Sequence, residues 1–233
     1  MTTGSLVLVR TERQYTLASA FLRFQEYYEN PKFRGEIFSL EKFMDWYAVK
    51  FGNFTYYNDW TGFNIPSSVL KPFREGKFNP LSKKEQRLLE LLPDVPEPFY
   101  VVGVFGAKSD LSTLKHELVH GLFYTVPEYR EKVLRAVAGK AKALRRILKK
   151  AGYHSAVWDD EVNVYLVAGV ADLADDGFKW TPALRVLQRE LRSIFHEQFG
   201  FAIRQANEAH ILKFFRCVQL QEAPIAAPLD FFI

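Results

Sequence analysis

Residues 116–120 read His-Glu-Leu-Val-His. On a helix, positions i and i+4 lie one turn apart on the same face. His116 and His120 can therefore present two imidazole nitrogens to one ion. Glu117 is rotated by about a quarter turn from that pair, where its carboxylate reaches water beside the ion rather than the ion itself. Those residue types suit metal-assisted hydrolysis: nitrogen ligands, a general base and room for a reacting water. The plainer alternative is two histidines one turn apart in an ordinary helix, with Glu117 solvated.

The neighbouring sequence supplies the helix this chemistry needs. Leu111, Leu114, Leu118 and Leu122 recur at helical spacing, and Ser109 or Asp110 can cap a helix over about 111–124. Phe99 to Phe105 is the clearest strand. Earlier come a strand over 5–10, a helix over 16–29 stopped by Asn30-Pro31, and a helix begun by Ser39 and ended by Gly52. The aromatic and β-branched run Phe54 to Tyr57 suggests another strand. A loop follows, then a short helix over about 66–75. Ser82 and Glu85 form a capping box for a helix over 83–92, and Pro93, Pro96 and Pro98 mark a connector. Later helices are expected over 127–150, 157–170 and from Thr181-Pro182 to Gln198, with 201–219 helical or mixed. The sum is an α+β chain, mostly helical, with a small sheet in its N-terminal half. One domain over 1–233 is expected, with lobes at 1–125 and 126–233.

Composition agrees with a folded domain. The 233 residues are 48% hydrophobic and 15% aromatic, with a net charge of +4, which excludes a disordered chain. Cys217 has no partner for a disulfide. No run approaches the roughly 20 apolar residues of a membrane span, and no targeting segment is evident, so a cytoplasmic location is expected. The aromatics between Phe21 and Phe63 read as core. The tail ending Phe231-Phe232-Ile233 is expected to dock on the domain.

The 116–120 pattern resembles the HExxH signature of the zincin metallopeptidases. Phe123 and Val126 stand where metzincins carry Gly and His, which excludes that subgroup. Gluzincins take a third ligand from a Glu on a later helix. Trp158-Asp-Asp-Glu-Val-Asn-Val-Tyr165 is similar to that second element, and Glu161 follows His120 by 41 residues. The likeness covers roughly residues 111–168 and departs from the gluzincin pattern at Asp160 and Val164. It implies a zincin-like fold, a Zn2+ cofactor held by His116, His120 and Glu161, and a peptide or protein substrate. Asp160 and His154 are rival ligands. Glu117 would act as the base, taking a proton from water and passing it to the leaving amine.

Each metal-bound imidazole should donate its other N–H to a carboxylate or carbonyl, and Asp160 and Asn163, with Asp159, are the nearby candidates. An oxyanion donor is also needed. Tyr165, one turn from Glu161, is the first candidate, with Tyr153, His154, Tyr124 and His196 behind it. In zincins a sheet edge near the active helix binds extended substrate. Tyr100 to Phe105 could be that edge, with Tyr100 and Gly103 touching the substrate, or it could be a central core strand.

The basic excess is concentrated. Residues 128–150, expected as one helix, hold nine Lys and Arg against Glu128 and Glu131, an excess larger than that of the whole chain. Leu134, Val137, Ala141, Leu144 and Leu148 would be its apolar stripe. The segment is either a solvated basic face or a dock for an acidic partner. No nucleic-acid motif accompanies it. Two other readings of the chain stand beside the peptidase: a zincin-like metal-binding or regulatory protein that cleaves nothing, and a basic-helix binding module with structural histidines. A peptide-deformylase-like site is disfavoured, because Cys217 lies downstream of the histidines.

Overall fold

The structure, a computed structural model, describes residues 5–92, 95–106, 110–173 and 177–221. Pro93, Ser109 and the apolar tail lie outside them. In chain order the elements are β1 (Leu6–Thr11), α1 (Gln14–Glu29), α2 (Leu40–Phe51), α3 (Tyr56–Asp59), β2 (Gly62–Pro66), α4 (Leu70–Arg74), α5 (Lys83–Leu91), β3 (Tyr100–Phe105), α6 (Leu111–Thr125), α7 (Pro127–Val137), α8 (Lys142–Lys150), α9 (Trp158–Val167), α10 (Pro182–Phe199), α11 (Glu208–Leu212) and β4 (Arg216–Gln219). The fold is α+β.

The strands form one mixed sheet in the order β2-β3-β1-β4. β1 runs parallel to β3 and to β4, while β2 is antiparallel to β3. Alternate residues of a strand face opposite sides, and both sides are covered here. Val7, Val9 and Val101 pack with α1 to α5. Leu6, Leu8, Tyr100, Val102 and Val104 pack with α6 to α11. This explains the unbroken apolar run of β3, since a strand buried on both faces does not alternate. The sheet is completed by β4 from the C-terminal part of the chain, so it is not confined to the N-terminal half.

Local sequence sets most of the helix ends. The Ser39 hydroxyl accepts from the Lys42 amide, and Gly52 ends α2 at φ 88°. Ser82 and Glu85 close a capping box on α5. Thr181 caps α10 and Gly200 ends it at φ 77°. Glu85 also receives Arg23 of α1 through both carboxylate oxygens, at 2.6 Å each. Both partners are buried, so this pair ties α5 to α1.

Three expectations need correction. Phe54 to Tyr57 does not form a strand. Its rings join the aromatic core, and Thr55 and Tyr47 both donate to the Asp59 carboxylate, closing the short helix α3. The strand lies further on, at β2, where Phe63 and Ile65 alternate into the core. Second, β3 is interior to the sheet, so Tyr100 and Gly103 are not on an edge. A Cβ at Gly103 would meet Leu17 Cδ1 at 2.8 Å and Phe21 Cε2 at 2.9 Å, so this glycine lets α1 close onto the sheet.

Third, the basic segment is two helices. Gly139 and Ala141 adopt φ values of 67° and 59°, which break the helical path between α7 and α8. Arg145 then donates to the carbonyls of Val137 and Lys140. Leu134, expected in the apolar stripe, is 38% exposed. Four of the nine cations form ion pairs among the described residues, Lys132 with Glu128 and Arg135 with Glu131 inside the segment, and Lys140 with Glu190 and Arg145 with Asp159 outside it. Among the described residues, no helix is long and apolar enough to cross a membrane.

Candidate metal centre

Asp110 caps α6 by accepting from the Ser112 amide. The inner face of α6 then buries Leu114, Leu118 and Leu122 against the sheet. Gly121 makes the approach close, since a Cβ there would meet Leu6 Cδ2 at 2.7 Å. This seating turns His116, Glu117 and His120 toward α9. That helix carries Asp159, Asp160 and Glu161 in its first turn, where carboxylates suit the helix dipole. Glu161 is 4% exposed, far from the solvated face an ordinary surface glutamate would occupy.

The two helices bring the histidines and Glu161 together. The Nε2 atoms of His116 and His120 are 3.2 Å apart, and Glu161 Oε1 is 3.7 Å from His120 Nε2. One ligand atom from each of the three lies within 4.8 Å of the others. Ligands about 2 Å from a tetrahedral ion sit about 3.3 Å apart, which the 3.2 and 3.7 Å separations at His120 approach. The donor chemistry fits as well, because two imidazoles and a carboxylate are a catalytic zinc set. Glu161 Oε2 and Glu117 Oε2 are buried without a hydrogen-bond partner. His116, His120 and Glu161 therefore form a group that could hold a metal ion.

Asp160 takes the supporting position. Its Oδ2 lies 2.8 Å from His120 Nδ1, on the far side of the ring from His116 and Glu161. That contact leaves Nε2 for the ion. Asn163 does not share this work. It is fully buried, and its Oδ1 accepts from the Tyr129 hydroxyl at 2.9 Å, joining α9 to α7. The rival ligand His154 is turned to its own backbone, accepting from the Ala156 amide.

Electrostatics at the centre follow from burial. Burial pulls the His120 imidazole down, but Asp160, Glu161 and Glu117 outweigh it and lift the pKa to about 10. His116, with burial and His120 both against its charge, is held well below the ordinary value. Burial raises Glu161 to about 8 and Glu117 to about 7. The Asp160 carboxyl is also raised by burial, against the pull of His120. Carboxylates this confined favour either a proton or a cation.

The centre opens into a cleft of about 180 Å³. Tyr165 and Tyr153 line it with their hydroxyls 3.4 Å apart, and the Tyr165 ring lies edge-on to His116 with centroids 5.1 Å apart. Tyr124, His154 and His196 are not in its wall. Nor are Tyr100 and Gly103, although the Tyr100 hydroxyl donates to Asn64, which is. The sheet edge beside the cleft is β2, which contributes Gly62 and Asn64. A Cβ at Gly62 would meet Thr113 Cγ2 at 3.1 Å and Glu117 Oε1 at 3.7 Å.

Comparison with protein-family models, with curated proteins and with solved structures finds no match for this chain.

The sequence reading missed the wall supplied by α1 and the loop before β2. Gln25, Glu29, Asp59, Trp60 and Thr61 all line the cleft. Glu29 carries a signal of it, one that Glu26 shares. Both are acids in the last turn of a helix, where the dipole disfavours negative charge.

Proposed function

We propose that the chain is a zinc-dependent hydrolase of the gluzincin kind that cleaves peptide bonds. One observation carries the reading. The Nε2 atoms of both histidines and the Glu161 carboxylate converge, Asp160 backs His120, and Glu117 enters the same cleft with an unpartnered oxygen.

His116, His120 and Glu161 would hold the zinc, which supplies Lewis acidity toward water and a scissile carbonyl. Glu117 takes the proton of the attacking water. Burial lifts its pKa to about 7, which suits a base that must later return the proton to the leaving amine. Asp160 holds the His120 ring in orientation. Tyr165 and Tyr153 present hydroxyls where an oxyanion needs donors. The Asn64 amide on the β2 edge is bonded to Gln25 Oε1, and an extended peptide would pair with that edge by displacing Gln25.

The test pairs metal content with turnover. Wild type should hold one equivalent of zinc, and His116→Ala and Glu161→Ala should each lose it. Glu117→Gln should keep the zinc and lose at least about a hundredfold in peptide hydrolysis. Retained cleavage in Glu117→Gln would overturn the mechanism. Zinc without turnover in wild type would favour the metal-binding protein that cleaves nothing.

A further inference from the structure

A second cavity, of about 400 Å³, lies away from the cleft and shares no lining residue with it. Its walls are Val167 at the end of α9, Phe195 of α10, and Ala202 and Ile203 in the turn after α10. Among the described residues, the charged groups lining it are two guanidiniums, Arg192 and Arg204, with the Gln205 amide beside them. Lys115 of α6 donates to the Arg204 carbonyl at 2.9 Å and brings a third cation to the same turn.

Arg204 is exposed and Lys115 and Arg192 are half-buried, so the guanidinium of Arg192 is the one that gains most from an anion in the cavity. Burial, and then the charge of Arg204, hold both Lys115 and Arg192 below their ordinary pKa values. Among the described residues no carboxylate forms an ion pair with any of the three. Arg192 Nε is buried and has no hydrogen-bond partner among the described residues. A buried donor with nothing to bond is uncommon in a folded protein and points to a missing acceptor.

We infer that this cavity binds a small organic acid, a carboxylate on an apolar body. Guanidiniums match carboxylates with paired N–H donors, so Arg192 and Arg204 take the anionic end. Phe195, Val167 and Ile203 take the body. A bare phosphate would satisfy the arginines but leave the apolar walls uncovered, and a cavity of this size is in the range of small-molecule sites. The inference is independent of the metal centre.

Calorimetric titration of the full chain tests it, with 4-phenylbutyrate, 4-phenylbutyramide and inorganic phosphate as probes. Phenylbutyrate should bind saturably, and the amide at least about tenfold more weakly. Arg192→Gln and Arg204→Gln should each weaken the acid by about tenfold or more, and His116→Ala should bind it as wild type does. Arg204 is exposed, so its variant tests the site without disturbing the core. Absence of saturation by phenylbutyrate would overturn the inference. So would wild-type affinity in both arginine variants. Phosphate binding more tightly than the acid would refute the apolar body.

Discussion

His120 is the residue on which the centre turns. Its Nε2 faces His116 and Glu161 while its Nδ1 meets Asp160. Spacing within one helix could place the histidines together, because i and i+4 always share a face. It could not choose between Asp160 and Glu161, which are adjacent and chemically alike; that choice depends on how α9 is rotated against α6. A second buried acid shows the same principle outside the centre. Glu26 of α1 is 6% exposed, and burial lifts its pKa to about 7 against the hydrogen bond that Asn30 donates to it. Its folded pKa is above the unfolded value, so its contribution to stability is complete below about pH 4.5 and is lost as pH rises through about 7. The expected size is on the order of 3 kcal/mol. Denaturant titrations of wild type and Glu26→Gln between pH 4 and 8 should show the wild type losing stability relative to the variant as pH rises. Parallel curves would refute the assignment.

At the scale of elements, caps and stops were legible because they are local. Ser39, Ser82, Thr181, Gly52 and Gly200 each act on a backbone group within a few residues. The break between α7 and α8 was not legible, because Val137, Ala141, Leu144 and Leu148 keep helical spacing across it. Gly139 was the available signal, with Arg145 supplying the stop by capping from the next helix. The strand at β2 was hidden by the Asn, Gly and Pro around it. Gly121 gives a prediction that belongs here. Alanine is favoured over glycine inside a helix by about 1 kcal/mol. At this position its methyl would press on Leu6, so Gly121→Ala should destabilise by about 1–3 kcal/mol, overpacking outweighing propensity. Thermal unfolding measures the sign, and a raised Tm would show that α6 can lift from β1 at little cost.

At the scale of the whole molecule, the sheet separates two cores, and the cleft lies where α1 and β2 meet α6 and α9. A cation bound by His116, His120 and Glu161 would link α6 to α9 and favour the folded state by mass action. At a free zinc concentration a thousandfold above Kd the gain is about 4 kcal/mol, or roughly 10 °C in Tm for a domain of this size. Removing metal with a chelator should lower Tm by about that amount in wild type and leave Glu161→Ala unchanged. An equal response in both would show that the metal sits elsewhere.

By itself the sequence determined the helical content, most helix ends and the pairing of His116 with His120, because each depends on neighbours along the chain. Tertiary structure decided that Glu161 completes the group while Asp160 supports His120, that Asn163 binds Tyr129 instead, and that β2 rather than β3 forms the edge. It also brought Glu29 from α1 into the cleft. These outcomes depend on the rotation and approach of elements far apart in sequence, set by how side chains such as Leu6, Leu17 and Phe21 pack against glycines on the facing element.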